Sequence, residues 1–262
     1  MEIPRVIHYC WFGGNPLSER ARKCIESWKE FCPDYEIKEW TENNYDVHKI
    51  RYMDEAYESR KWAFVSDYAR LDIVFSYGGI YLDTDVELVR SLDELLEEKL
   101  VLAIEKQNCK INTGLGFAAE RGNKILQQMM EQYYNISFLL KDGSLNLKAC
   151  PQYTTEFFAE RGYALTDRTQ RIGDILILAS EYFCPMDYHT GIIIVTENTM
   201  GIHWYEASWF GKGDKKIHLT EQKIRRNFPS GIAKIICFIY RKSYRLIEYT
   251  GKGILLKKLK RK

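Results

Sequence analysis

The chain has 262 residues, 45% hydrophobic and 28% charged, with a formal net charge of +2. That is enough apolar material for one large α/β domain, alone or with a small appendage, without disulfide staples. The seven cysteines are scattered and form no Cys-x-x-Cys pair, which excludes a zinc ribbon or a redox dithiol; no run of 18 apolar residues marks a membrane span, and no basic-then-apolar leader marks a signal peptide. Reduced, mostly buried thiols and a cytoplasmic location are therefore expected.

In chain order, residues 5–12 (Arg-Val-Ile-His-Tyr-Cys-Trp-Phe) read as a buried first strand, closed by Gly13-Gly14-Asn15-Pro16. Ser18 is placed to cap a helix to Phe31, which Cys32-Pro33-Asp34 breaks. Tyr35 to Trp40 alternates as a second strand. Strand-helix-strand order this early predicts a mostly parallel central sheet flanked by helices. One or two helices follow over 54–77, then a strand over Ile80–Leu82, a short strand over Val86–Val89, a helix over Ser91–Glu98 and a strand over Leu100–Ile104. Ile111 to Ala119 reads as a loop into a strand, and Asn123 caps a helix to Tyr134. Residues 135–150 are looser and Thr154–Arg161 is helical. Ile172–Leu178, Phe183 and Ile192–Val195 read as short strands or turns, and His203–Gly213 as a loop. The domain division expected is a catalytic body, 1–221, and a basic C-terminal tail, 222–262.

The chemistry concentrates in residues 64–86, where an amphipathic helix runs into Gly78-Gly79, a short apolar strand, and two carboxylates, Asp83 and Asp85. Alternate residues of a strand face one way, so this spacing predicts two carboxylates aimed at one point past the strand end. Such a pair is a hard-oxygen site for Mg²⁺ or Mn²⁺, an ion that keeps positions open for substrate phosphates. Asp67 and Arg70, at i and i+3, share a helix face; they are either a solvated ion pair or, given where that helix leads, contacts to the oxygens of a diphosphate-sugar. Trp11, at the end of the first strand, is either a core aromatic or a platform for a nucleobase, and His8 reads as a satisfied core histidine. His203, Ser208 and Trp209 lie in a segment dense in groups that touch sugars and phosphates, though aromatic loop packing also accounts for it. Two other readings of the Asp-x-Asp stay open. One is a haloacid-dehalogenase-like phosphatase with Asp83 as nucleophile, against which stand the short leading strand and Glu87 two residues past Asp85. The other is a non-catalytic sugar-nucleotide-binding protein.

In combination, Ile3-Pro-Arg-Val-Ile-His-Tyr-Cys-Trp11-Phe-Gly-Gly, Ser66-Asp67-Tyr-Ala-Arg70, Tyr77-Gly-Gly-Ile-Tyr-Leu-Asp83-Thr-Asp85, and His203 with Ser208-Trp209 resemble the family-32 glycosyltransferases, densely over residues 3–120 and more loosely to 210. The resemblance implies a GT-A, Rossmann-like nucleotide-sugar-binding fold, a UDP- or GDP-sugar donor, a saccharide acceptor, Mn²⁺ or Mg²⁺, retention of anomeric configuration, and a role in bacterial capsule or surface polysaccharide synthesis. By position it implies that Trp11 stacks on the base, that Asp67, Arg70 and Asp83 contact sugar, ribose or diphosphate, and that Asp85 binds the metal. It further implies that Asn112-Thr113-Gly114 lies beside the transferred sugar and that His203, Ser208 and Trp209 close over the diphosphate. The metal set expected is Asp85, Asp83 and His203.

The net charge hides an asymmetry. From Gln222 to Lys262 there are 13 Lys/Arg and one acid, Glu248, giving +12; the first 221 residues carry 25 Lys/Arg and 35 Asp/Glu, giving −10. In the tail, apolar residues and bases interleave at roughly helical intervals. Such a stretch either packs as a terminal helix or lies in an anionic membrane surface, and in the second case it suits a lipid-linked oligosaccharide acceptor. Nucleic acid is not an expected partner, because no nucleic-acid-binding fold accompanies the charge.

Overall fold

The computed structural model describes residues 2–206 and 212–259, with side chains at 2–206 and 213–247. The first of two compact units comprises Met1–Met186 and Ile193–Trp209. Its elements in chain order are β1 (Val6–Cys10), α1 (Glu19–Phe31), β2 (Glu36–Trp40), α2 (Arg51–Glu58), α3 (Trp62–Tyr77), β3 (Gly79–Tyr81), β4 (Val86–Leu88), β5 (Leu100–Glu105) and β6 (Lys110–Ile111). They continue with β7 (Phe117–Ala119), α4 (Lys124–Tyr134), α5 (Cys150–Ala159), β8 (Gln170–Ile172), β9 (Ile175–Leu178), α6 (Ser180–Phe183) and β10 (Gly201–His203). The second unit, Asp187–Ile192 and Phe210–Lys262, holds α7 (Lys212–Asn227) and α8 (Ser230–Leu259).

The main sheet has the order β2-β1-β3-β7-β5-β9-β8, with β6 paired to β5. β2, β1 and β3 are mutually parallel, β7 is antiparallel to both its neighbours, and β5 and β9 are parallel. The α/β class and the mostly parallel, helix-flanked central sheet are as expected. Two cores pack against the sheet. One gathers Ile7, Tyr9, Cys24, Trp28 and Ile80 beside α1, and the other gathers Val65, Ala69, Ile73, Tyr81 and Phe117 beside α3. The chain leaves β1 toward β2 and returns to pair β3 on β1's other side. This is the switch point outside whose carboxyl ends open α/β sheets bind ligands.

Local chemistry explains most element ends. The Ser18 hydroxyl accepts from the Ala21 N–H at 3.0 Å, a cap of the kind that contributes about 1 kcal/mol. Asn123 caps α4 in the same way. Gly78 and Gly79 take φ of +69° and +105°, and there is no room for a side chain at either. A Cβ at Gly78 would lie 2.8 Å from Pro4 Cδ, and one at Gly79 2.7 Å from the Val6 carbonyl. His8 lies beneath this turn and is 1% exposed. It donates from Nε2 to the Gly78 carbonyl at 2.8 Å and accepts at Nδ1 from Trp40 at 3.2 Å, which is the satisfied core role expected of it.

Several expectations need correction. Ser91–Glu98 is not an α-helix; it holds a single 3₁₀ turn, Asp93–Leu95, because the chain must turn at once into β5. α5 starts at Cys150 rather than Thr154, since Pro151 sits in the first turn, where its missing N–H costs nothing. Phe183 belongs to the one-turn helix α6. His203, expected to open a loop, instead ends the strand Gly201–His203, which pairs antiparallel to β4. Most telling, α3 is not amphipathic: every residue from Val65 to Val74 is buried, so its charged side chains are satisfied internally.

Candidate active site

α3 drives Asp67 and Arg70 into the interior, at 6% and 3% exposure, which rules out a solvated surface pair. The Arg70 guanidinium reaches Asp67 Oδ1 at 3.3 Å and Asp83 Oδ1, from beyond β3, at 3.3 Å. It also donates to the Ser66 carbonyl at 2.9 Å and stands 5.0 Å over the Tyr81 ring. A buried cation held by two carboxylates and a carbonyl cannot swing away, so the guanidinium is fixed in place.

The two carboxylates of the Asp-x-Asp do not continue a strand. β3 stops at Tyr81, and the Val86 N–H to the Asp83 carbonyl, 3.0 Å, closes a turn between β3 and β4. Asp83 and Asp85 therefore stand at the first and third positions of a turn and take different partners. Asp83 accepts from the Tyr81 hydroxyl at 3.0 Å and from Arg70. Asp85 pairs with His203 Nε2 at 3.3 Å and accepts the Glu206 N–H at 2.7 Å. Burial raises the pKa of Asp83, against Arg70 and with the help of the Asp85 charge. Burial also opposes ionisation of Asp85, but His203 and the Glu206 N–H outweigh it and hold its pKa below the usual range. The same pairing keeps the His203 pKa well above 6.5 despite burial.

The segment after β6 packs onto this group. The Asp83 N–H donates to the Gly114 carbonyl at 3.1 Å, and Asn112 Oδ1 accepts the Gly114 N–H at 2.8 Å while its amide donates to Glu105 at 3.1 Å. A Cβ on Gly114 would lie 2.1 Å from Asp83 Oδ2 and 3.0 Å from Arg70. Sequence reasoning missed Cys150, Tyr81 and Glu206. The Cys150 thiol, at the start of α5, lies 3.6 Å from Arg70, 3.6 Å from Thr113 and 3.9 Å from Asn112, joining three segments under the site. Burial pushes its pKa well up, so it acts as a neutral packing and hydrogen-bonding group. Nothing local in the sequence marks it, because its partners lie 37 to 80 residues away.

Trp11 follows β1 as Asp83 follows β3, at the same carboxyl edge of the sheet; the Leu82 N–H to His8 carbonyl bond, 3.1 Å, sets that register. Its ring is half-buried and its indole N–H donates to the Asn15 carbonyl at 2.6 Å. Ser208 and Trp209 lie outside the described residues. Among the described residues, Asp83, Asp85 and His203 do not bring three donor atoms within 4.8 Å of one another; His48, Asp54 and Glu58 do, at an exposed position on α2 and the turn before it. The oxygen donors Asp83 and Asp85 fit a hard divalent cation, and His203, paired with Asp85 through Nε2 at 3.3 Å, stands beside them.

Comparison with known proteins agrees with this geometry. Residues 18–102 match the family model described as "Glycosyltransferase sugar-binding region containing DXD motif". The chain is 29% identical over 144 residues to inositol phosphoceramide mannosyltransferase 3 of Schizosaccharomyces pombe, covering 52% of the chain and 38% of that protein. It is 27% identical over 178 residues to inositol phosphoceramide mannosyltransferase 1 of the same yeast, covering 63% and 53%. The chain thus spans about two fifths to one half of these relatives. Among solved structures, the PaToxG glycosyltransferase aligns with a TM-score of 0.49 at 18% identity, over 61% of this chain and 70% of that one. With its Asp-x-Asp turn inside the matched region and mannosyltransferases among the proteins it is similar to, the chain carries the sugar-binding DXD region described for glycosyltransferases over residues 18–102.

Proposed function

We propose that the chain moves a hexose-type sugar from a UDP- or GDP-linked donor to a saccharide or lipid-linked oligosaccharide acceptor, with retention of configuration and with Mn²⁺ or Mg²⁺, in the assembly of a bacterial capsule or surface polysaccharide. The observation that carries the reading is the immobile Arg70, shared by Asp67 and Asp83 at the carboxyl edge of the sheet. The names of the two yeast relatives favour a hexose as the sugar moved.

Breaking a sugar–phosphate bond places negative charge on the departing diphosphate and positive charge on the anomeric carbon. Arg70, already oriented, binds diphosphate or sugar oxygens without reorganising, which is where preorganised charge is most effective. Asp67 and Asp83 accept from sugar and ribose hydroxyls, and Trp11 stacks on the base, a contact worth about 1–3 kcal/mol. Asp85, with Asp83 across the turn, would hold the divalent ion, which when bound adds positive charge beside the leaving group. Asn112 and Gly114 set the wall beside the transferred sugar, and Ser208 and Trp209 would close over the diphosphate. No carboxylate is assigned as nucleophile or general base; a diphosphate oxygen takes the proton of the incoming hydroxyl.

A thermal-shift screen of nucleotide-sugars with Mn²⁺ tests this. A cognate donor at a hundredfold excess over its Kd stabilises by about 2.7 kcal/mol, or about 5–10 °C for a chain of this size. Absence of a shift with every UDP- and GDP-hexose would refute the reading.

A further inference from the structure

The second unit is a helical hairpin whose inner seam is well satisfied. Ile217, Glu221, Ala233 and Cys237 are buried. Glu221 receives Arg241 Nε at 2.8 Å, and the Tyr240 hydroxyl meets Thr220 at 3.3 Å. The opposite side of α8 is apolar and uncovered: Ile232, Ile235, Phe238 and Ile239 are 52%, 63%, 62% and 58% exposed. At 100° per residue, Ile232, Ile235 and Ile239 fall within an arc of about 60°, and Leu246 continues it two turns on. This is a stripe, not scattered surface residues, and a chain that met only water would not hold it open.

Charge identifies what covers it. Lys234, Arg241 and Arg245 border the stripe along one side. Lys242 lies within its edge, with its ammonium 5.1 Å over the Phe238 ring. Arg241 and Arg245 already face Glu221 and Asp214, so of these four cations Lys234 and Lys242 are the two left outward. The only acid between Gln222 and Lys262 is Glu248, against 13 Lys/Arg. A partner helix would need the apolar stripe alone. Isoleucines and a phenylalanine edged by long cations, which reach past buried stems to a charged plane, match a lipid surface carrying negative headgroups. We propose that the outward face of α8, through Ile232, Ile235, Phe238 and Ile239 with Lys234 and Lys242, lies in the surface of an anionic membrane. The inference goes beyond the sugar-transfer reading and stands apart from it.

Flotation of the full chain with phosphatidylcholine–phosphatidylglycerol vesicles tests it. The chain is expected to float with these vesicles and to partition at least about tenfold less onto pure phosphatidylcholine, since each cation near an anionic surface is worth about fivefold. Ile235→Glu with Ile239→Glu should lower the bound fraction at least about tenfold, because charge is placed where the apolar face meets the acyl boundary. Its circular dichroism and the donor-induced thermal shift should stay unchanged, as both positions are exposed and outside the donor site. A wild-type chain left at the bottom of the gradient overturns the proposal, as does a double variant that floats equally well or equal binding to neutral vesicles. Sedimentation separates the remaining outcome: a wild-type dimer that the double variant dissociates, without flotation, makes the stripe a self-interface and likewise overturns it.

Discussion

Arg70→Met removes the one cation that Asp67 and Asp83 share while keeping a side chain of similar length. Asp67 is 6% exposed, and burial already holds its pKa above the ordinary value against the pull of Arg70. Without the guanidinium, Asp67 takes up a proton instead of remaining a lone buried charge. The cost of protonating a carboxyl of ordinary pKa about 3.9 at pH 7 is about 4 kcal/mol, which sets the ceiling; at pH 5 it is about 1.5 kcal/mol. The wild-type strain already present at Asp67 comes off that ceiling, so a loss of about 2–4 kcal/mol is expected at pH 7, in the range for breaking a buried pair. The sign follows from the proton count. The variant's folded state binds a proton its unfolded state lacks above pH 4, so the deficit grows as pH rises. Urea unfolding of wild type and variant at pH 5 and 7 measures this. Arg70→Met with Asp67→Asn, which removes the buried carboxylate and leaves only the part-exposed Asp83 without its cation, should regain most of the stability at pH 7 and none of the donor binding. A deficit under about 1 kcal/mol at pH 7, or one independent of pH, would show that Arg70 is not the counter-charge described here.

Three further predictions follow from single contacts. Gly114→Ala drives a methyl into Asp83 and Arg70 and should abolish donor binding by thermal shift, with a small change in the unliganded melting point; normal binding would mean the 112–114 segment is not part of the site. His8, whose pKa burial lowers from 6.5 to about 4, contributes its full stability above pH 6.5, and this is lost as pH falls toward 4. At pH 5 the loss is about 2 kcal/mol, and His8→Gln should remove that part of the difference between urea midpoints at pH 7 and pH 5. Asp85→Asn should reduce sugar transfer at least about a hundredfold while leaving the circular dichroism spectrum intact, and unchanged turnover would remove Asp85 from the metal site.

What could be read from the sequence was local or repeated. The Ser18 and Asn123 caps, the Gly78-Gly79 turn and the first two strands follow from neighbouring residues, and each is present. The helical interleaving of the tail becomes α7 and α8. What escaped depended on distant partners. β10 exists because Gly201–His203 pairs with Val86–Leu88, a contact across more than a hundred residues. The burial of α3 on all sides was hidden because Asp67, Arg70 and Asp72 look like a solvent face until Asp83, Tyr45 and Lys49 are seen to meet them. Likewise, the convergence expected of Asp83 and Asp85 assumed a strand through both, whereas the turn at 83–86 gives each its own partners.

The central claim is that the turn carrying Asp83 and Asp85 holds a divalent cation together with a nucleotide diphosphate. Electron paramagnetic resonance titration of Mn²⁺ into the protein, with and without UDP or GDP, addresses it directly, because bound Mn²⁺ loses the free-ion signal. One nucleotide-dependent Mn²⁺ site per chain, absent in Asp85→Asn, is the expected result. Mn²⁺ binding that ignores the nucleotide, or that survives Asp85→Asn undiminished, would contradict it.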